Sequence, residues 1–168
     1  MQAPTAWRNG EWIPLRDIGI ALNDFGFLQA AVAVDRLRTY RLEPLHLEAH
    51  VRRFLDSSQA IGIQAGDFSE LCSVVEECVA RNKFTYRGAD FSVVLLATPG
   101  AEPDDVLAGT RIVHTAAIDW RKLSSWYQSG QKLLLAQPRN VPAACWSPRI
   151  KTRSRLHYYL GDRQAAQV

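Results

Sequence analysis

The sequence predicts an α+β domain that leads into the opening of a second unit. Three observations carry this. Short segments from Val32 to Tyr40, Phe91 to Ala97 and Thr110 to Ile118 are alternating or continuously apolar, as strands are. Between the first two lie two segments with apolar residues at helical spacing. After about residue 125 the character changes: from Trp120 to Gly161 there is no Asp or Glu, and Pro138, Pro142 and Pro148 interrupt the chain. The expected division is therefore 1–125 and 126–168.

Taken in order, Trp7-Arg8-Asn9-Gly10-Glu11-Trp12 predicts a hairpin, because Asn-Gly accepts the positive φ angles of a two-residue turn. Asn23–Gly26 predicts a second turn. The strand from Val32 to Tyr40 is followed by a helix over Leu45–Ile63, with Leu47, Val51, Phe54 and Leu55 on one stripe and Gly62 as its stop. Asp67 caps a second helix that carries Leu71, Val74, Val75, Cys78 and Val79. Two strands follow, joined by a loop through Pro99-Gly100 and Pro103-Asp104-Asp105. Ser124–Gly130 reads as a connector and Lys132–Gln137 as a strand. The three prolines keep the approach to Lys151 irregular, and Ser154 starts a helix with Leu156, Tyr159 and Leu160 on one face.

At 168 residues, 47% hydrophobic and 22% charged, the composition is that of a globular protein. A net charge of +3 is too small to imply nucleic acid, and the basic excess is local, which favours a site over a general polyanion surface. No apolar run reaches membrane-spanning length, and the N-terminal residues lack a signal-peptide core. Cys72, Cys78 and Cys145 are odd in number without zinc-ligand spacing, so reduced thiols and a cytoplasmic setting are expected.

Arg149-Ile150-Lys151-Thr152-Arg153-Ser154-Arg155 is the most informative passage. Of the 20 basic side chains only four are lysines: Lys83, Lys122, Lys132 and Lys151. A guanidinium cannot attack a carbonyl, whereas an amine can, most readily when neighbouring cations lower its pKa. The alternative readings are a solvated lysine, a solvated strand edge, or a nucleic-acid patch using Trp146, Tyr158 and Tyr159. Elsewhere, His46 and His50 stand four apart on a helix, but no third ligand accompanies them and no metal is expected. Arg52-Arg53 follow, and Arg53 falls at the margin of the apolar stripe, where it could meet an anion. The glycines fit neither a Walker nor a dinucleotide fingerprint, and no serine stands in a nucleophile elbow.

Several segments, in order, resemble the fold-type IV pyridoxal-phosphate enzymes, the group of branched-chain and D-amino-acid aminotransferases and 4-amino-4-deoxychorismate lyase. Asn9-Gly10-Glu11 is similar to the family's opening hairpin. Asn23-Asp24-Phe25-Gly26-Phe27-Leu28 resembles its D-R-G-F/L segment, and Val34-Asp35-Arg36-Leu37-Arg38-Thr39-Tyr40 its F-E-T-I-R-x-Y strand. Pro44 to Phe54 resembles P-F-x-L-x-x-H-x-x-R-L, and Pro148-Arg149-Ile150-Lys151 with Leu156, Gln164 and Ala165 resembles the block around the family's lysine. The resemblance runs from residue 7 to 168. It implies the N-terminal two-layer α/β domain of the D-amino-acid aminotransferase-like fold, then the start of a barrel-like second domain, truncated. It implies pyridoxal 5'-phosphate as cofactor, amino-acid and keto-acid substrates, and a homodimer. Lys151 would carry the cofactor as a Schiff base and move the substrate's α-proton. Arg53 would hold the cofactor phosphate through its fork.

The sequence departs from the family's pattern at Gln29, Ala30 and Ala31, where the family has glycines. Val34 replaces an aromatic and Asp35 a longer Glu. The family's chain continues past the position of Val168 with the carboxylate that pairs the pyridinium nitrogen. Aminotransfer is the leading expectation. The lyase reaction is the alternative, since Lys151-Thr152-Arg153-Ser154-Arg155-Leu156 resembles K-x-x-N-R-L with Ser154 for Asn. A non-catalytic paralogue or fragment is the reading from a different class.

Overall fold

A computed structural model describes residues 3–102 and 109–167. The strands are β1 (Thr5–Arg8), β2 (Glu11–Pro14), β3 (Ala33–Tyr40), β4 (Glu43–Pro44), β5 (Ser92–Thr98) and β6 (Thr110–Ala116). The helices are α1 (Phe25–Leu28), α2 (Leu47–Ala60), α3 (Phe68–Asn82), α4 (Trp120–Ser129) and α5 (Leu156–Ala165). The strands make one sheet in the order β2-β1-β6-β5-β3-β4, with every neighbouring pair antiparallel. Helices α2 and α3 lie on one face of it. Between the layers Val51 and Phe54 of α2 and Leu71, Val75 and Cys78 of α3 meet Leu37, Val93, Leu95 and Val113 of the strands. This is the α+β layout expected from the sequence.

The expected hairpin forms with Asn9 and Gly10 both at positive φ (47° and 97°) and Trp7 opposite Trp12. Asp67 caps α3 by accepting from the Glu70 amide at 2.9 Å. The turn expected at Asn23–Gly26 runs into α1, capped by Asp24. The Asp24 carboxylate is buried and also accepts from the hydroxyls of Thr98 and Thr110. A Cβ at Gly26 would collide with the Thr98 side chain, so only glycine fits there.

Three expectations need correction. Ser124–Gly130 is no connector but most of α4: Asp119 caps it through the Lys122 amide, and Gly130 at φ 73° ends it. The serines that argued for a loop bond back to carbonyls of their own helix, from Ser124 to Arg121, Ser125 to Lys122 and Ser129 to Ser125. Lys132–Gln137 is no strand. Its alternating leucines find no neighbouring strand to bond, and Leu133 and Leu135 stay exposed. The last helix begins at Leu156 rather than Ser154, whose hydroxyl donates to the Ala30 carbonyl instead. Pro103, Asp104 and Asp105 of the expected loop lie outside the described residues. The approach to Lys151 is irregular, as the prolines required.

What this layout does for a site is to press α2 onto β3. Val51 and Phe54 are fully buried at that contact, so the polar side chains one turn either way are carried to the layer's edge. Phe54→Ala should lower the unfolding free energy by roughly 3–5 kcal/mol through the cavity it leaves, read as a shift of the urea midpoint at unchanged m-value.

Candidate functional site

The residue around which the site is built is Asp35. It sits in β3 with no solvent exposure, on the face that α2 covers. A carboxylate there needs partners, and α2 supplies two of them one turn apart. Arg53 donates from Nε to Oδ2 at 2.6 Å and from Nη2 to Oδ1 at 2.8 Å, and His50 Nδ1 lies 2.7 Å from Oδ1. The Arg36 amide donates to Oδ1 as well. Burial pushes the Asp35 carboxyl upwards, but the hydrogen bonds and charges of Arg53 and His50 outweigh it and hold the group below its ordinary 3.8. The same bond to Asp35 raises the Arg53 guanidinium.

Arg53 is 49% exposed, so one edge of its fork faces the buried acid and the rest faces solvent. This modifies the expectation that the Nε–Nη2 fork would grip an anion directly: that edge is taken by Asp35. Nη1 has no hydrogen-bond partner among the described residues and points the remaining capacity into a cleft of about 370 Å³. That cleft is lined by Arg53, Arg149, Lys151, Arg155, Trp146 and Tyr158 among others, and by no Asp or Glu. The two site residues named from sequence, Arg53 and Lys151, thus line one cavity although 98 positions separate them in the chain.

Lys151 is held there by its backbone. Its amide donates to Ser57 Oγ (3.1 Å) and its carbonyl accepts from the Val34 amide (3.0 Å), while the Arg153 amide donates to the Val32 carbonyl. The segment therefore adds an antiparallel bridge, Thr152 to Ala33, at the start of β3. Ser57 is buried, and its hydroxyl donates to the Arg53 carbonyl at 2.8 Å while accepting from Lys151. One hydroxyl thereby ties the arginine and the lysine to a common frame. Burial lowers the Lys151 amine, Arg53, Arg153 and Arg155 lower it further, and the attraction of Asp35 only partly offsets them. An amine so placed surrenders its proton more readily than a free lysine, which is what a nucleophile or a general base requires.

With this geometry the comparisons agree. The family model for amino-transferase class IV matches residues 33–168. The chain belongs to the class IV aminotransferase family. Among solved structures, the T.th. branched-chain amino acid aminotransferase complexed with N-(5'-phosphopyridoxyl)-L-glutamate aligns at a TM-score of 0.80 and 19% identity, over 100% of this chain and 56% of that one. That of Thermobaculum terrenum in its PLP-form aligns at 0.73 and 19%, over 98% and 56%. The Escherichia coli enzyme aligns at 0.59 and 16%, over 70% and 40%. At these identities the likeness shows the fold. The chain spans just over half the length of the first of these aminotransferases. No curated protein matches it.

Seen as a class IV aminotransferase, the chain's departures acquire physical meaning. Ala30 stands at φ 55°, in the left-handed region that a glycine would occupy without strain. Its carbonyl nevertheless anchors the site, accepting from the Val32 amide and from Ser154 Oγ. His46 takes a left-handed N-cap position without a capping side chain, and His50 serves Asp35; no cluster of three metal-ligating side chains occurs among the described residues. Sequence reasoning missed Ser57 and the paired roles of Asp35 and His50. An acid in an otherwise apolar strand, with His and Arg three apart on the next helix, was the signal available for the latter; for Ser57 there was none.

Two outcomes are expected. Because the Asp35 carboxyl is depressed in the fold, its stabilisation is present above its unfolded value and disappears as pH falls through the folded one. Urea unfolding of wild type should therefore weaken below about pH 4, and Asp35→Asn should be about 2 kcal/mol less stable at pH 7 with that acid dependence reduced. Ser57→Ala should leave the Lys151 amide without its acceptor, costing about 1–3 kcal/mol, with the backbone amide of Lys151 exchanging faster in hydrogen-exchange measurements than in wild type.

Proposed function

We propose that the chain carries the lysine half of a pyridoxal-phosphate site and that it transfers amino groups between amino and keto acids. The single observation behind this is the convergence of Lys151 and Arg53 on one acid-free, cationic cleft. The donor set fits the group: guanidinium forks suit a phosphate dianion, and a depressed amine suits covalent attachment of an aldehyde. Arg53, through Nη1, holds the phosphate, with Asp35 and His50 fixing its orientation. Lys151 Nζ carries the cofactor, then takes and returns the proton at the substrate's α-carbon. When bound, the cofactor supplies the electron sink that makes this proton removable. Ser57 and the bridge to β3 keep Nζ in place.

The remaining parts of the reading rest on weaker supports. A division near residue 125, with the cofactor-binding unit beginning beyond it, is supported by the exposed run without helix or strand after α4. A homodimer is supported by exposed apolar side chains such as Leu22, Phe27 and Tyr127. A cytoplasmic setting is supported by three cysteines without a disulfide, of which buried Cys78 has its thiol pushed up to about 12. No helix of the described residues is long and apolar enough to cross a membrane.

The test is direct. Mixed with pyridoxal phosphate, the chain should develop a visible absorbance band, and borohydride should fix the cofactor's mass on the peptide holding Lys151. Lys151→Ala should show neither. Arg53→Gln should weaken cofactor binding by about tenfold or more. An identical spectrum in Lys151→Ala would overturn the assignment. Dependence of turnover on an added keto acid separates aminotransfer from the lyase reaction.

A further inference from the structure

The face of the sheet turned away from α2 and α3 carries a second group of cations, which the phosphate reading does not use. The register sets Arg36 of β3 opposite Val94 of β5, and Val94 opposite His114 of β6. The three share one row of that face, with Arg36 and His114 roughly 10 Å apart at the backbone, two strand spacings. Arg153 joins them from the Lys151 segment, its amide bonded to the Val32 carbonyl two residues before Val34. Among the described residues none of the three has an ion pair with a carboxylate. They are close enough to disfavour one another's charge. Burial, then Arg153 and Arg36, lower the His114 imidazole; burial, then Arg155 and Arg36, lower the Arg153 guanidinium. Arg36 also lines an open cleft of about 590 Å³ with Arg38, His50 and Lys122. The only acid lining that cleft, Asp119, is engaged in capping α4.

Clustered like charges without counter-ions destabilise a fold, so their convergence calls for an anionic ligand. Lys151 feels this group through Arg153 as well as the first group through Arg53. One guanidinium fork suffices for the α-carboxylate that every amino or keto acid substrate carries. A second fork and an imidazole are then left over. We propose that Arg36, Arg153 and His114 form a subsite for the second carboxylate of a diacid, so that the preferred substrate beside Lys151 is an amino or keto dicarboxylate. This rests on the proposed aminotransfer at Lys151.

The test titrates the 168-residue chain with 2-oxoglutarate and, separately, with 2-oxopentanoate, which has the same carbon chain without the distal carboxylate. Calorimetry gives the affinities, and NMR of the His114 ring reports the locus. The diacid should bind about tenfold tighter or more and should alone shift the His114 resonances. Arg36→Leu and Arg153→Leu should each abolish the preference at an unchanged thermal midpoint. Equal binding of the two acids, binding of neither, or a preference intact in both variants would overturn the proposal. Borohydride labelling of Lys151 in the same samples keeps the two readings apart. Labelling that persists while the diacid preference fails overturns the subsite alone. A preference that persists while labelling fails overturns the cofactor assignment.

Discussion

A carboxylate withdrawn completely from water is the constraint on which the rest of this molecule depends. Removing such a charge from solvent costs several kcal/mol unless its oxygens are filled. Asp35 is filled from a neighbouring helix, by Arg53 on two atoms and His50 on one. Those contacts set the rotation and register of α2 against β3 more narrowly than the apolar contacts of Val51 and Phe54 do, because hydrogen bonds are directional and burial is not. The consequence for function is positional. Arg53 is turned so that Nε and Nη2 face inwards, and what remains of the guanidinium is presented to the cleft.

The lysine is placed by different means. Nothing in its own sequence neighbourhood is regular: prolines keep 138–150 out of helix and sheet. Order arrives where the chain meets β3 and α2, through the Val34 amide, the Val32 carbonyl and Ser57. An amine fixed by its backbone between arginines, partly buried and with a single carboxylate in reach, is held in the electrostatic state that carbonyl chemistry uses. Structure and charge here pull the same way, and both are properties of this chain.

Much of the fold could be read from residue order. Asn9-Gly10 fixed a hairpin because those two residues tolerate positive φ, and Asp67 announced α3 because a short acid at that position satisfies a free amide. The failures have equally local causes. Serines at 124, 125 and 129 argued for a connector, yet each found a carbonyl of its own helix. The leucines of 132–137 alternate as a strand should, but alternation describes a surface and supplies no partner. At the site, Lys151 was legible from the scarcity of lysine and Arg53 from the resemblance. Ser57 was not, because a single hydroxyl on an amphipathic helix carries no periodic signal; its importance exists only once Lys151 lies against it. The orientation of Arg53 was likewise invisible, since it depends on a buried acid 18 residues earlier.

The claim most exposed to refutation is that Asp35 clamps Arg53 through Nε. Hydrogen exchange of the Arg53 Nε–H, followed by nitrogen-resolved NMR at neutral pH, tests it without reference to any ligand. A resonance that is shifted from free arginine and exchanges far more slowly than those of solvated arginines such as Arg16 is the predicted result. A rate equal to that of free arginine would contradict the account, because the arginine would then be loose and the buried carboxylate held by something else.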